Sequence, residues 1–280
     1  MYAANFDYAR PATVDEAIAL LARHGDEAKV LAGGHSLIPA MKLRLARPRV
    51  VVDIGRISGL SFIRETAQGV AIGAMTTHAE IAASSLLRQK SPLLPETARH
   101  IGDVQVRNKG TIGGSLVHAD PAADYPAAIL ALDAEIEIAG PRGRRTVRAA
   151  DFFVDLLQTA VGPDEILTEI RVPATAASIA YVKTEQKASG FALAGVAAIV
   201  SADGVRVGVT GVTAKAYRAK AVEQALAGRR NPSAEAIAAA ASHAADGVDP
   251  LSDIHASAEF RAHLAQVNAR RAIERALAQA

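Results

Sequence analysis

Two short bends, Ala32-Gly33-Gly34-His35-Ser36 and Thr111-Ile112-Gly113-Gly114-Ser115, constrain this chain more than any other feature. Each adjoins an apolar run, and each sets a glycine pair ahead of a hydroxyl side chain. Glycine accepts positive φ and carries no Cβ, so the backbone can turn sharply and bring its N–H groups close to a ligand. Successive inward-facing amides form a concavity that suits a phosphate or pyrophosphate. One Gly-Gly pair is an ordinary turn signal. Two pairs, each running into Ser and a distinctive polar tail, point to an anionic ligand gripped by main-chain amides at both bends.

The 280 residues suffice for one large domain or two smaller ones. Half of them are hydrophobic, as in globular chains, and the large share of Ala implies slim, closely packed helices. A net charge of +2 gives no reason to invoke nucleic acid. Arg142, Arg144 and Arg145 cluster around an expected hairpin turn and read as a solvated tip. The absence of cysteine excludes disulfides, thiolate nucleophiles and cysteine-ligated clusters from this chain. Met1-Tyr2-Ala3-Ala4-Asn5 is no signal-peptide start, and no apolar window is long enough for a membrane span. The expected location is the cytoplasm.

The first half alternates helical and strand patterns. Thr13 with Glu16, and Thr77 with Glu80, have capping-box spacing before helices. Strands are expected at Lys29 to Ala32, Arg49 to Ile54, Gly69 to Ala74, Glu135 to Ala139 and Ile166 to Val172. Helices are expected at Pro92 to Ile101, Pro126 to Leu132 and Asp151 to Leu157. Periodicity lapses over Pro173 to Ser178, which marks a boundary. Beyond it lie three strand-like runs, Ile179 to Glu185, Ala192 to Ser201 and Val205 to Val212, with Asp203-Gly204 as a hairpin signal. Helical patterns follow at Ala219 to Leu226, Ala234 to Ala245 and Ala256 to Leu277. The order is α+β, a mixed front half and then a three-stranded antiparallel sheet with terminal helices.

In the first bend, amides from Gly33 to Leu37 and the Ser36 hydroxyl would form a pyrophosphate cradle; a plain strand-to-loop turn explains the glycines equally well. In the second, Thr111 and Ser115 are short donors for a phosphate or ribitol oxygen. Asp124 suits a ribose hydroxyl, and Asp120 a helix cap. His35 and His118 lack a partner at metal-ligand spacing and read as loop-stabilising residues. No Gly-x-Ser-x-Gly elbow, lysine P-loop or Gly-x-Gly-x-x-Gly fingerprint occurs.

The runs AGGHSLIPAMKLRLARP (Ala32 to Pro48) and TIGGSLVHADPAADYPA (Thr111 to Ala127) resemble the two flavin loops of the FAD-binding medium subunits of molybdenum hydroxylases, the carbon monoxide dehydrogenase and xanthine dehydrogenase type. Weaker similarity extends through Ile72 to Ile81, Glu165 to Pro173 and Tyr181 to Ala198. The resemblance implies a vanillyl-alcohol-oxidase-like FAD-binding domain over residues 1–175, with subdomains of roughly 1–55 and 56–175. A C-terminal domain of sheet plus helices would cover 176–280. It implies noncovalent FAD, held at Ala32, Gly33, Gly34, His35, Ser36, Leu37, Ile101, Thr111, Gly114 and Ser115, with Asp124 on the adenosine side. Leu167 and Lys183 would lie against the flavin ring, and Phe191 stands where some relatives place an aromatic beside it. Ser115 replaces the Asn of many relatives, and Glu185 to Gly190 is less basic than theirs.

The resemblance also implies partners. These are a large molybdopterin subunit and a small subunit with iron–sulfur (2Fe-2S) clusters, arranged as a dimer of heterotrimers, with an external electron acceptor. The site residues are then binders, none is catalytic, and no metal is held by this chain. Two other classes compete. One is a self-contained FAD reductase resembling UDP-N-acetylenolpyruvylglucosamine reductase, against which the HADPAAD run and the lack of a convincing Ser and Glu pair both count. The other is a flavin-free assembly module, against which the intact donors Ser36, Thr111 and Ser115 count. Carbon monoxide, a purine, an aldehyde and an N-heterocycle all stay open as substrates of the assembly.

Overall fold

The computed structural model describes the chain apart from Ala176, Arg230 and Ala280. Ala176, within the Pro173 to Ser178 boundary, therefore lies outside the described residues. The chain begins with a small parallel sheet in which Val50–Asp53 lies between Asp7–Ala9 and Ala28–Leu31. The central strand is a continuous β-branched run because one of its faces takes the helix Val14–His24 and its neighbours cover its edges. Ala17, Ile18 and Leu21 of that helix pack with Val50, Val52 and Ile54. Thr13 caps it, accepting from the Glu16 N–H at 3.1 Å.

The second sheet is antiparallel throughout, in the order Ile63–Thr66, Gly69–Gly73, Ile166–Pro173, Glu135–Gly140, Gly143–Arg148. The chain enters it, leaves through the helices between His78 and Ala131, and returns, and the second bend is tied to the end of Gly69–Gly73 by the Gly113 N–H on the Ala74 carbonyl. The Arg142 to Arg145 turn is the exposed hairpin tip expected from the sequence, though two of its arginines are paired. Arg144 pairs with Glu137, and Arg145 grips Glu165 through two hydrogen bonds of 2.9 and 2.6 Å. The expected helix Asp151 to Leu157 is corrected. The helix is Ala149–Phe152, after which Phe153–Asp155 pairs with Gln158–Thr159. Leu157 takes a positive φ of 55°, so the turn between these strands ends any helical run.

The third sheet has four strands, not three: Ser178–Glu185, Ala192–Ser201, Gly204–Thr210 and Tyr217–Arg218. The last is too short to leave a pattern. Helices cover both faces, which explains why the longer strands read as near-continuous apolar runs. Alternate residues serve different cores. Ile179, Tyr181, Ala197 and Ile199 pack with Leu93–Arg99 and Tyr125–Ala131 in the core that also holds the second sheet. Ala180, Val196, Ala198 and Val207 face Ala234–Ala241 and Ala258–Leu277. A Cβ on Gly208 would strike the Ala127 main chain, so the helix Tyr125–Ala131 lies directly on this strand.

Candidate functional site

The two glycine bends meet. A Cβ on Gly33 would collide with the Lys109 carbonyl oxygen and come within 2.8 Å of the Gly110 Cα, so Gly33 lets the first bend lie directly on the approach to the second. Gly114 faces Ala32 from the other side, where an added Cβ would sit 3.5 Å from the Ala32 Cβ. Gly34 adopts φ +79°, the left-handed conformation that turns the chain into the helix Leu37–Lys42.

This turn leaves the main-chain N–H groups of Gly33, Gly34, His35, Ser36 and Leu37 without an acceptor among the described residues. Five successive unpaired amides beside a cleft are the donors that an anion-binding nest requires. The second bend departs from the expectation of a matching nest. Ile112 donates to the Thr76 carbonyl at 3.0 Å and Gly113 to Ala74 at 2.8 Å. Gly114 donates to Thr111 Oγ1 at 3.1 Å, and Ser115 to the Thr111 carbonyl at 3.0 Å. These amides are consumed because the bend is the capped start of the helix Ile112–His118. On this side the cleft is offered the hydroxyls of Thr111 and Ser115.

A single cleft of about 850 Å³ runs past both bends, and its wall includes all the predicted site residues except Lys183. Its lining takes Leu21, Asp26, Ala28 and Ile54 from the first sheet and its helix, and Ile101, Val106, Asp124 and Phe191 from later in the chain. Leu167 also lines it, next to Thr168, whose carbonyl accepts from the Ala74 N–H at 3.0 Å.

Lys183 is buried away from the cleft, its Nζ 3.0 Å from the Asp124 carboxylate and 2.9 Å from the His100 carbonyl. Asp124 also accepts from the Tyr181 hydroxyl at 2.5 Å. The assignment of Asp124 to the adenosine end and Lys183 to the flavin end therefore fails, since two groups in contact cannot mark opposite ends of an extended dinucleotide. Both stand near Ile101 and Phe191, through the Lys183 contact with the His100 carbonyl and the bond from Ala192 N–H to the Ala122 carbonyl. Asp124 heads the helix Tyr125–Ala131 without capping it through its side chain, and burial pushes its carboxyl up to about 6 against the pull of Lys183. Asp120 caps no helix; it closes a local turn by accepting from the Ala122 N–H at 2.8 Å.

Phe191 is half exposed at the mouth, held where Ala192 N–H bonds the Ala122 carbonyl at 3.3 Å. His35 and His118 line the cleft, and among the described residues no cluster of His, Asp and Glu is arranged to hold a metal. Two contributions escaped the sequence reading. The segment from Leu157 to Leu167 forms one wall, signalled only by the Val161-Gly162-Pro163 break before its strand. His78 forms part of another; its signal is its place directly after the capping residue Thr77.

The donor set and the open backbone at Gly33 and Gly34 fit a pyrophosphate-bridged dinucleotide, and the cleft volume lies within the range of cofactor sites. Fold and cleft together define an α+β protein built to hold an extended anionic cofactor. Residues 4–175 match the family described as the FAD binding domain in molybdopterin dehydrogenase, and residues 179–276 match the CO dehydrogenase flavoprotein C-terminal domain. The chain belongs to this family of flavoprotein subunits. It is 40% identical to the carbon monoxide dehydrogenase medium chain of Hydrogenophaga pseudoflava over 98% of both chains. A solved structure of that organism's carbon monoxide dehydrogenase superposes with a TM-score of 0.95 at 42% identity, covering 99% of each chain. Quinoline 2-oxidoreductase from Pseudomonas putida 86 superposes at 0.93 and 32% identity, covering 99% of this chain and 98% of the other. No described helix is long and apolar enough to cross a membrane.

Proposed function

We propose that this chain is the FAD-holding electron-transfer subunit of a molybdenum hydroxylase. It takes electrons from the 2Fe-2S clusters of a small partner subunit and passes them to an external acceptor. Substrate oxidation belongs to a large molybdopterin subunit, in a cytoplasmic dimer of heterotrimers. The observation that carries this reading is the run of five unpaired amides at Gly33 to Leu37, lining a cleft that the adjoining second bend lines with Thr111 and Ser115.

Bound FAD supplies the redox chemistry. The chain's own groups bind, orient and exclude water. The first-bend amides and the Ser36 hydroxyl donate to the diphosphate, and Thr111 and Ser115 donate from the adjoining bend. Ile101, Leu167 and Phe191 present apolar surface to the rings. Residues 1–175 hold the cofactor and 176–280 brace the wall that carries Asp124. An outer-sphere transfer needs no side-chain acid or base, so no residue is assigned a catalytic role.

The test uses the full chain purified alone and then reconstituted with FAD. A flavin absorption spectrum that survives gel filtration, with no turnover of NADPH and a nucleotide-sugar enol ether, is the expected result. Turnover without partners would assign the chain to the reductase class, and failure to retain any flavin would reduce it to an assembly module. Coexpression with its genomic neighbours should recover molybdopterin and iron–sulfur subunits in one complex.

A further inference from the structure

His78 opens the helix His78–Ala83, and its main-chain N–H donates to the Gly110 carbonyl at 3.0 Å. Its ring lies against Gly110, where an added Cβ would meet Nε2 at 2.6 Å and Cδ2 at 2.8 Å. The residue is only 4% exposed, yet it is part of the cleft wall. Burial, with His35 and Arg107 nearby, drives its pKa down to about 4, so at neutral pH the ring is uncharged. A neutral imidazole has one donor and one acceptor nitrogen.

The two nitrogens have different surroundings. Nδ1 is enclosed and has no hydrogen-bond partner. The adjoining ring, Tyr125, stands 5.3 Å away between centroids at a tilt of 58°, and its hydroxyl is likewise enclosed and unpartnered. Neither of these enclosed atoms pairs with the other; a proton on Nδ1 would be an enclosed N–H without an acceptor, which favours the tautomer with the proton on Nε2. Nε2 is not enclosed and makes no hydrogen bond within the described residues. It therefore presents an N–H donor to the cleft beside Gly110, a residue that itself lines the cleft. A ligand oxygen at this position would pair a donor that the protein itself leaves unpaired.

We infer that His78 is a further ligand of the bound dinucleotide, its Nε2–H donating to an oxygen on the flavin-side half while Tyr125 orients the ring from behind. The inference rests on the cofactor reading above. The flavin-side half is chosen because, apart from His35 of the first bend, the ring's neighbours Gly110, Arg107 and Tyr125 belong to the second-bend side. None comes from the Leu21 to Lys29 wall. The acceptor is a ribityl, phosphate or flavin carbonyl oxygen.

The experiment titrates the cofactor-free full chain with FAD, FMN and ADP by calorimetry, comparing wild type with His78→Phe and His78→Gln. Loss of the donor in His78→Phe should weaken FAD and FMN by about three- to tenfold and leave ADP unchanged, while His78→Gln recovers most of the affinity. In ¹⁵N NMR of the wild type, FAD should shift one neutral-ring Nε2 resonance that is missing from His78→Gln. Unchanged FMN affinity in His78→Phe overturns the inference, and so does equal weakening of ADP and FMN, which marks a merely structural role. If His78→Phe does not fold, the wild-type ¹⁵N shift and the glutamine variant decide. A wild-type chain that binds neither FAD nor FMN defeats the cofactor reading itself, a distinct outcome.

Discussion

Gly33 is where a single methyl group would do most harm. Its missing Cβ lets the Lys109 and Gly110 backbone lie against it, and main chain cannot swing aside as a side chain can. Gly33→Ala should therefore cost about 1–3 kcal/mol in urea denaturation. Flavin retained after gel filtration should fall with it, because the nest and the second bend separate together. Well-folded protein with full flavin content would show that the contact is dispensable. Two buried titrating groups oppose one another at this scale. Asp124 is raised to about 6, so between pH 4 and 6 the native state binds more protons than the unfolded chain, and this contribution to stability shrinks as pH rises. His78 is lowered to about 4, so over the same window the unfolded chain binds more protons and stability grows with pH. Asp124→Asn should make the protein more acid-sensitive between pH 4 and 6, and His78→Gln less so. Urea midpoints measured at each pH decide; parallel curves for wild type and both variants would refute the assignment.

At the scale of elements, the terminal helix Ala258–Leu277 does more than cover the third sheet. Asn268 is fully buried on its inner face and donates to the Ala194 carbonyl and to Thr184 Oγ1, each at 3.0 Å. The pairing of Ser178–Glu185 with Ala192–Ser201 shifts register between Thr184 and Glu185, and the asparagine serves polar groups at that irregularity. Asn268→Leu should cost about 2–3 kcal/mol and orphan both groups, while flavin content stays at the wild-type level. Equal stability of the variant would contradict this. Long elements were legible before the structure because their apolar spacing reports burial directly: the runs around Val50, Ala192 and Val205 all became strands. The strands Asp7–Ala9 and Tyr217–Arg218 were not, since two or three residues carry no period. The supposed helix through Leu157 failed because tertiary pairing with Gln158–Thr159 overrode local pattern.

For the whole molecule, the cleft is assembled from the first subdomain, the edge of the second sheet and the loop ending at Phe191, so ligand binding should couple all three. FAD at a hundred times its Kd should stabilise the chain by about 2.7 kcal/mol, read as a higher Tm. Absence of a shift in wild type, at concentrations where FAD is bound, would mean the cleft survives unfolding of its parts. Thirteen of the fourteen residues named from the sequence line one cleft; the glycine pairs and hydroxyls among them were legible because they report local backbone chemistry, while Ile101, Leu167 and Phe191 came only through the family resemblance. The sequence could not show that the second bend spends its own amides on Thr76, Ala74 and Thr111, because those acceptors are long-range or depend on a cap. Nor could it show that Lys183 is buried against His100 and Asp124, partners distant in sequence.

The third sheet owns no surface that could be bared without penalty. Tyr181 and Ile199 belong to the same apolar mass as Leu94 and Ile129, and the opposite flank is sealed by the last helix. Shortening the polypeptide at residue 175 would strip the roof from Tyr125–Ala131, the helix that Asp124 leads. The cofactor-facing half is thus not a detachable cassette. Grafting it elsewhere would require carrying its C-terminal lining along.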